Sequence, residues 1–189
     1  MRCFIAIDID KKIRDLLGDL QRQLRGSIDV KKKSDINWVN PDNMHLTLKF
    51  LGEIKDEKAA DVCNIVKAVA GKHKSFELDI ETVGHFGGGS PKVLWVGTGE
   101  GSENLLKLQK DIESSLALAG WPEEAREFAG HLTICRIRHP IAGMKLAKAS
   151  EDYKDFKLGT TSADSVCVYQ SELKPNGPVY TRLGNYKLQ

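Results

Sequence analysis

A four-residue pattern of His, Leu, Thr and an aliphatic residue occurs twice in this 189-residue chain. The copies are His45-Leu46-Thr47-Leu48 and His131-Leu132-Thr133-Ile134, 86 positions apart. Each follows the same run of elements. Before the first, the apolar stretch Cys3–Asp8 reads as a buried strand. Ile13, Leu16, Leu17, Leu20 and Leu24 then recur at three- and four-residue steps, which predicts a helix over 11–25 closed by Gly26. Before the second, Lys92–Val96 reads as a strand, and Leu105, Leu106, Leu108, Ile112, Leu116 and Leu118 predict a helix from about Ser102 to Ala119, ended by Gly120. Strand, helix, loop and motif strand in the same order twice imply an internal duplication. The expectation is one α+β domain over 1–189, bilobal, with antiparallel or mixed sheets, outer helices and a shared central cleft.

The remaining elements are weaker. Met44–Phe50 alternates, which puts Met44, Leu46, Leu48 and Phe50 on one face and His45, Thr47 and Lys49 on the other. Asp56 reads as the cap of a helix ending at Ala70. Phe76–Val83 reads as a strand joined to Lys92–Val96 through Gly87-Gly88-Gly89-Ser90-Pro91. The stretch 140–155 is ambiguous between loop and short helix. Ser165–Tyr169 and Val179–Leu183 read as final strands around the turn Pro175-Asn176-Gly177-Pro178, and 27–37 as a polar loop.

Charge and cysteine usage narrow the function classes. Twenty-eight Lys and Arg against 26 Asp and Glu leave a net charge of +2, and the only basic run is Lys31-Lys32-Lys33. That excludes broad electrostatic wrapping of nucleic acid but leaves room for a local phosphate pocket. Cys3, Cys63, Cys135 and Cys167 form no CxxC pair, so they read as reduced, mostly buried thiols of a cytoplasmic protein. The N-terminal apolar run stops at Asp8, too short for a signal peptide, and no stretch approaches a membrane span. Acidic and histidine ligands at helical spacing are lacking, so no metal or other cofactor is expected.

On a strand, a spacing of two puts His and Thr on one face and the aliphatic pair in the core below. Two such strands across a cleft present two imidazoles and two hydroxyls to one small group. With an ordinary pKa near 6.5, one ring can be protonated while the other is neutral, so one gives a proton to a leaving oxygen as the other takes one from water. Threonine hydroxyls can donate to the non-bridging oxygens of a phosphate. A strained cyclic phosphodiester suits this apparatus.

The paired motifs resemble those of the two-histidine phosphoesterases. They are most similar to the RNA 2′,3′-cyclic phosphodiesterases, or 2′-5′ RNA ligases, of bacteria and archaea. The likeness extends to Arg2–Ile7, Trp38-Val39 and Pro41, Lys49-Phe50-Leu51-Gly52, Val93–Gly97, Tyr169–Leu173 and Gly177-Pro178-Val179-Tyr180. It implies pseudo-twofold symmetry and hydrolysis of a terminal RNA 2′,3′-cyclic phosphate to a 2′-phosphate without metal or ATP. It also implies that His45 is the proton donor to the leaving 3′ oxygen and His131 the acceptor from water, and that Thr47, Thr133 and Arg136 hold the phosphate. Strict alternation puts Arg136 on the Leu132 and Ile134 face, so this role requires a bend or twist in the strand. With an RNA 5′-hydroxyl in place of water, the same groups would make a 2′-5′ linkage. Gly130 stands where relatives commonly carry proline, which relaxes the backbone ahead of His131.

Other residues read less sharply. Phe128 is a candidate for stacking on a terminal base, and Trp38 for that or core packing. Tyr169 points opposite to Val166 and Val168, to cleft or surface. Arg138 and Lys49 are candidates for backbone phosphate contacts, with solvated charge as the default. His85 is set between the cleft and loop packing, and His73 and His139 read as bystanders. RNA 3′ ends or small cyclic nucleotides are the expected partners of a monomer with no obligate protein partner. The rival readings are a phosphodiesterase for another small cyclic phosphate or a 2′-5′ oligonucleotide, and a non-catalytic binder of RNA ends.

Overall fold

The computed structural model describes residues 1–175 and 177–189. Nine strands and four helices of eight or more residues form two antiparallel sheets among these residues. The first half runs β1 (Arg2–Asp8), α1 (Lys11–Ser27), β2 (Ile36–Trp38), β3 (His45–Glu53), α2 (Asp56–Ala70) and β4 (Phe76–Phe86). The second runs β5 (Val93–Thr98), α3 (Ser102–Leu118), β6 (His131–Ile137), α4 (Pro140–Ser150), β7 (Lys157–Ala163), β8 (Ser165–Lys174) and β9 (Gly177–Lys187). One sheet has the order β3-β1-β8-β9 and the other β2-β6-β5-β4-β7. The duplication is visible in this order: β3-β1-β8-β9 corresponds to β6-β5-β4-β7, with each motif strand beside the strand that opens its own half.

The buried faces of both sheets and one stripe of each helix meet in a single core. Ile5, Ile7, Leu46 and Leu48 from the first sheet join Leu94, Val96, Leu132 and Ile134 from the second, and all are at most 3% exposed. The three- and four-residue periodicity of α1 and α3 is explained by this burial: Ile13, Leu17, Leu20 and Leu24, and Leu105, Leu108, Ile112 and Leu116, face the core. A smaller cluster of Phe4, Ala6, Cys167 and Tyr169 covers the opposite face of the first sheet. All four cysteines are free, and Cys3, Cys135 and Cys167 are buried. No helix is long and apolar enough to cross a membrane among the described residues.

Several sequence expectations need correction. Helix α1 continues through Gly26 to Ser27, whose hydroxyl donates to the Leu24 carbonyl and helps close the last turn. Asp56 is the first residue of α2 rather than its cap, which is Lys55. The polar stretch 27–37 contains most of β2, which pairs with β6, and β7 has too little hydrophobic contrast to stand out. The stretch from Pro140 resolves into α4 and a short 3-10 turn. Position 176 of the expected Pro175–Pro178 turn lies outside the described residues.

Candidate active site

Both motif strands break alternation at the same place. In β3, Ala6 pairs with Thr47 and Ile5 with Lys49, so Leu48 is an extra residue. In β6, Trp95 pairs with Thr133 and Leu94 with Cys135, so Ile134 is extra. An extra residue in one strand is a β-bulge, and it inverts the facing of every residue that follows. Leu48 and Lys49 are therefore both buried, as are Ile134 and Cys135. Phe50 and Arg136 come round to the face that carries His and Thr, where both are exposed.

This bulge supplies the bend that Arg136 requires, and it corrects the expectation for Lys49 and Phe50. Lys49 is 4% exposed and points away from the cleft. Its Nζ donates to Glu113 Oε1 on α3 at 2.5 Å and to the Pro122 carbonyl at 2.9 Å, bracing the loop that leads into His131. It is no phosphate ligand. Phe50 is 56% exposed, with the Phe4 ring 6.2 Å away across the strand pair.

The two histidines are tethered alike. Nδ1 of His45 bonds the Asn43 carbonyl at 2.9 Å, and Nδ1 of His131 bonds the Ala129 carbonyl at 2.8 Å. A carbonyl only accepts, so each Nδ1 carries the hydrogen and each Nε2 is left for chemistry. Asn43 is held in turn by its side chain, whose Nδ2 donates to the Pro178 carbonyl on β9 at 3.2 Å. On the other side, buried Gln21 of α1 donates to the carbonyls of Val39 and of bulged Ile134, each at 2.8 Å.

The surroundings differ. His45 stacks on Phe4, with centroids 4.6 Å apart, and takes the edge of Tyr180 at 5.4 Å. Burial pushes its pKa below the ordinary 6.5, against the opposing pull of the Asn43 carbonyl and the Asp8 carboxylate. Asp8 is opposite His45 in the β1–β3 ladder. It accepts from the Tyr169 hydroxyl at 2.7 and 2.9 Å and from Arg182 Nη2 at 2.7 Å. Tyr169 is thus buried beside the cleft, and its phenol is raised by burial and by the bond to Asp8. His131 meets Phe86 edge-on at 5.0 Å and Trp95 at 6.4 Å.

Strands β3 and β6 pack against each other, which joins the two motif strands across the lobes. Tyr180 reports a second link. Burial raises its phenol, while the Arg136 guanidinium on the other sheet lies near enough, with Arg2, to pull it back. Tyr180 and His45 are therefore ring neighbours, and the charge of Arg136 reaches the same phenol. A cavity of about 300 Å³ opens beside His45, with Asp8, Arg14, Asp42, Tyr180 and Arg182 in its wall. A second, of about 340 Å³, adjoins the residues just before His131 and includes Phe128, which also packs against the core.

A family model described as LigT-like phosphoesterase matches the chain twice, over residues 7–95 and 96–180, with one His-x-Thr motif in each match. The chain belongs to this family. Among LigT-like proteins, it is 33% identical over 181 residues to a Methanocaldococcus jannaschii protein named RNA 2′,3′-cyclic phosphodiesterase, covering 95% of this chain and 96% of that one. A Thermotoga maritima protein of the same name is 32% identical over 182 residues, 95% and 91% of the two chains. A crystal structure of TT0787 from Thermus thermophilus superposes with a TM-score of 0.80 at 26% identity, over 100% of this chain and 98% of that one. E. coli LigT, solved with 3′-AMP, shares the fold with a TM-score of 0.76 at 24% identity, over 99% and 97% of the two chains.

Of the other sequence candidates, Trp38 is half-buried against the core, with the Arg25 guanidinium 4.8 Å from its ring. Arg138 and His85 are exposed. His73 is half-buried rather than fully exposed, and its Nε2 bonds Asp111 on α3 at 2.8 Å. Gly130 is explained by crowding, since a Cβ there would meet Leu105 Cδ2 at 2.6 Å and Thr98 Oγ1 at 3.0 Å. Sequence reasoning missed Asp8, Arg182 and the facing of Phe50. Arg182 was within reach, because it follows Tyr180 by two on a strand; a bulge leaves no mark in the residue pattern. Among the described residues no group of three or more His, Cys, Asp or Glu is placed to hold a metal ion.

Proposed function

We propose that this LigT-like protein hydrolyses the 2′,3′-cyclic phosphate at an RNA end to a 2′-phosphate, with His45 and His131 as the acid–base pair. The observation that carries the reading is the repeated presentation of one constellation. Two bulged strands each offer an imidazole Nε2 and a threonine hydroxyl on one face, with Arg136 brought to that face by the second bulge. Its relatives named RNA 2′,3′-cyclic phosphodiesterase support the choice of substrate.

The chemistry follows from the tethers. Neutral His131, with its hydrogen on Nδ1, accepts a proton at Nε2 from the attacking water. Protonated His45 donates from Nε2 to the departing 3′ oxygen, and the 2′ oxygen keeps the phosphate. Thr47, Thr133 and Arg136 hold the non-bridging oxygens, whose charge grows as the new bond forms. Phe50 offers its exposed ring to the terminal base. Burial alone disfavours a charged His45, so the anionic phosphate beside it supplies the field that keeps the proton there until it is used.

The test is a short RNA ending in a 2′,3′-cyclic phosphate, incubated with enzyme in EDTA, with the product end identified. A 2′-phosphate is expected, with the rate falling about 10²–10⁴-fold in each of His45→Ala and His131→Ala. Full activity in either variant, or a 3′-phosphate product, would sink the assignment. Binding of the RNA with its end left intact would make the protein an end-binding module instead.

A further inference from the structure

A buried amide in α1 ties the two motif strands together. Gln21 lies on the core face of the helix beside Leu17, Leu20 and Leu24, and is 4% exposed. A polar side chain at such a place is tolerated where its hydrogen bonds are made. Both amide hydrogens of Gln21 are used, one on the Val39 carbonyl and one on the Ile134 carbonyl, each at 2.8 Å. Ile134 is the extra residue of the β6 bulge, and its carbonyl also accepts from the Val39 N–H at 3.1 Å. Both lone pairs of the bulged carbonyl are therefore filled, and both partners come from the first half of the chain. From there the bonding reaches each motif. Ile134 directly follows Thr133 and precedes Arg136 by two. Val39 leads into a turn in which the Asn43 N–H donates to the Asn40 carbonyl at 2.8 Å, and the Asn43 carbonyl in turn holds Nδ1 of His45. Helix α1 packs closely on that turn, where a Cβ at Gly18 would meet Pro41 Cγ at 3.4 Å.

The second half repeats the device in the opposite direction. Aligning the core residues Ile13, Leu20 and Leu24 with Leu105, Ile112 and Leu116 puts Gln21 on Glu113. Glu113 accepts from Lys49, the residue after the β3 bulge, and from the Glu124 N–H at 2.8 Å in the loop that leads to His131. Each helix thus holds the bulge of the other half's motif strand together with the approach to its own half's histidine. Apolar packing between the two sheets is not directional and lets facing layers shift. Hydrogen bonds to fixed carbonyls do not. The two arms differ in chemistry as their partners do. Between two carbonyls only a group with two hydrogens to give will fit, so the arm that reaches β6 is an amide and not a carboxylate.

We propose that Gln21 is a positioning residue for the phosphate side of the site. Through the Ile134 carbonyl it fixes the bulge that turns Arg136 to the face of the histidines, and through Val39 it sets that guanidinium against His45. The proposal rests on the reading above that the two motif strands hold one phosphate between them. Gln21 is buried in the core and touches no substrate atom, so its effect reaches the reaction through Arg136. A displacement of about 1 Å in a group that meets growing charge is felt in the transition state more than in the bound substrate. Loss of the brace therefore lowers kcat and leaves KM nearly as it was.

The experiment is a double-mutant cycle on hydrolysis of an RNA end that carries a 2′,3′-cyclic phosphate. Gln21→Met keeps the length of the side chain and removes both donors. With Arg136 present it is expected to lower kcat about 10–30-fold, with KM within about twofold. In Arg136→Ala, where no guanidinium is left to position, the same substitution is expected to cost about twofold or less. Gln21→Asn, which keeps the amide on a shorter stem, is read in the same cycle and is expected to cost about fivefold, masked in the same way. Leu20→Ala, on the same face of α1, removes core packing without touching either carbonyl. Assayed at a temperature where it is folded, it is expected to leave kcat within about twofold. An equal loss with and without Arg136, or a loss no larger than that of Leu20→Ala, overturns the positioning role. A wild-type protein that leaves the cyclic phosphate intact overturns the proposed function, and the positioning role with it.

Discussion

Strands β3 and β6 begin as the same structure and end as different ones. Through the histidine, the threonine and the bulge they match, down to the carbonyl two residues upstream that fixes Nδ1. Past the bulge, β3 continues with buried Lys49 and exposed Phe50, and β6 with buried Cys135 and exposed Arg136. A fully symmetric site could not tell an attacking oxygen from a leaving one. Duplication supplies two equivalently tethered imidazoles, and the residues after the bulge make the two sides differ: an exposed guanidinium on one and an exposed aromatic ring on the other, which the proposed function assigns to the phosphate charge and the nucleoside.

The largest difference between the strands is buried, at the first position past the bulge. Lys49 and Glu113 form an ion pair with side-chain exposures of 3% and 15%, and Glu113 also accepts from the Glu124 N–H at 2.8 Å. Lys49→Ala strands a buried carboxylate and is expected to cost about 3–5 kcal/mol of unfolding free energy. The smaller cut at the equivalent position, Cys135→Ala, leaves no charge unpaired and is expected to cost about 1–2 kcal/mol. Urea melts of the two variants measure the contrast. Equal losses would mean that Lys49 acts only as packing.

The exposed position past the bulge separates phosphate from base. Arg136→Ala is expected to lower kcat/KM for a cyclic-phosphate end about 10²–10³-fold, mostly in kcat, because the guanidinium meets charge that grows in the transition state. Phe50→Ala is expected to cost less, about 5–100-fold, and mainly in KM, because base stacking is present before and during reaction. If Phe50→Ala instead lowers kcat and leaves KM alone, the ring does not hold the ground-state nucleoside.

How much of this is legible without coordinates can be judged from the same two strands. His45, Thr47, His131 and Thr133 stand out because a period of two is written directly in the residue order, and the core helices because burial imposes their periodicity. Alternation puts Phe50 and Lys49 on the wrong faces because a bulge is a pairing event: it depends on β1, more than 40 positions away, and changes no residue of β3. The same event in β6 resolves the position of Arg136 in the opposite direction. Asp8 reads as the end of a strand. Its partners Tyr169 and Arg182 are more than 160 positions distant, and only the order β1-β8-β9 brings the three together. The strands with little hydrophobic contrast, β2 and β7, are invisible for the plainest reason: they lie at the edges of the second sheet, where one side needs no strand partner.

The smallest expected effect concerns the charge that separates the two imidazoles. Asp8 raises the proton affinity of His45 against the dominant effect of burial. Removing that charge should lower His45 further below 6.5. Since the acid must be protonated, activity is lost as pH rises through its pKa, so Asp8→Asn should move that limb of the kcat/KM profile to lower pH, by about one unit or less. The limb set by the base, lost as pH falls, should stay in place. Tyr169→Phe removes the hydroxyl that donates to Asp8 but keeps the carboxylate and its Arg182 contact. Weakened positioning alone would then lower the height of the profile in both variants without moving either limb. A limb that moves only in Asp8→Asn assigns the tuning to charge. A shift of the opposite limb would exchange the roles of the two histidines, making His45 the base, which its depressed proton affinity in the free protein would then fit directly.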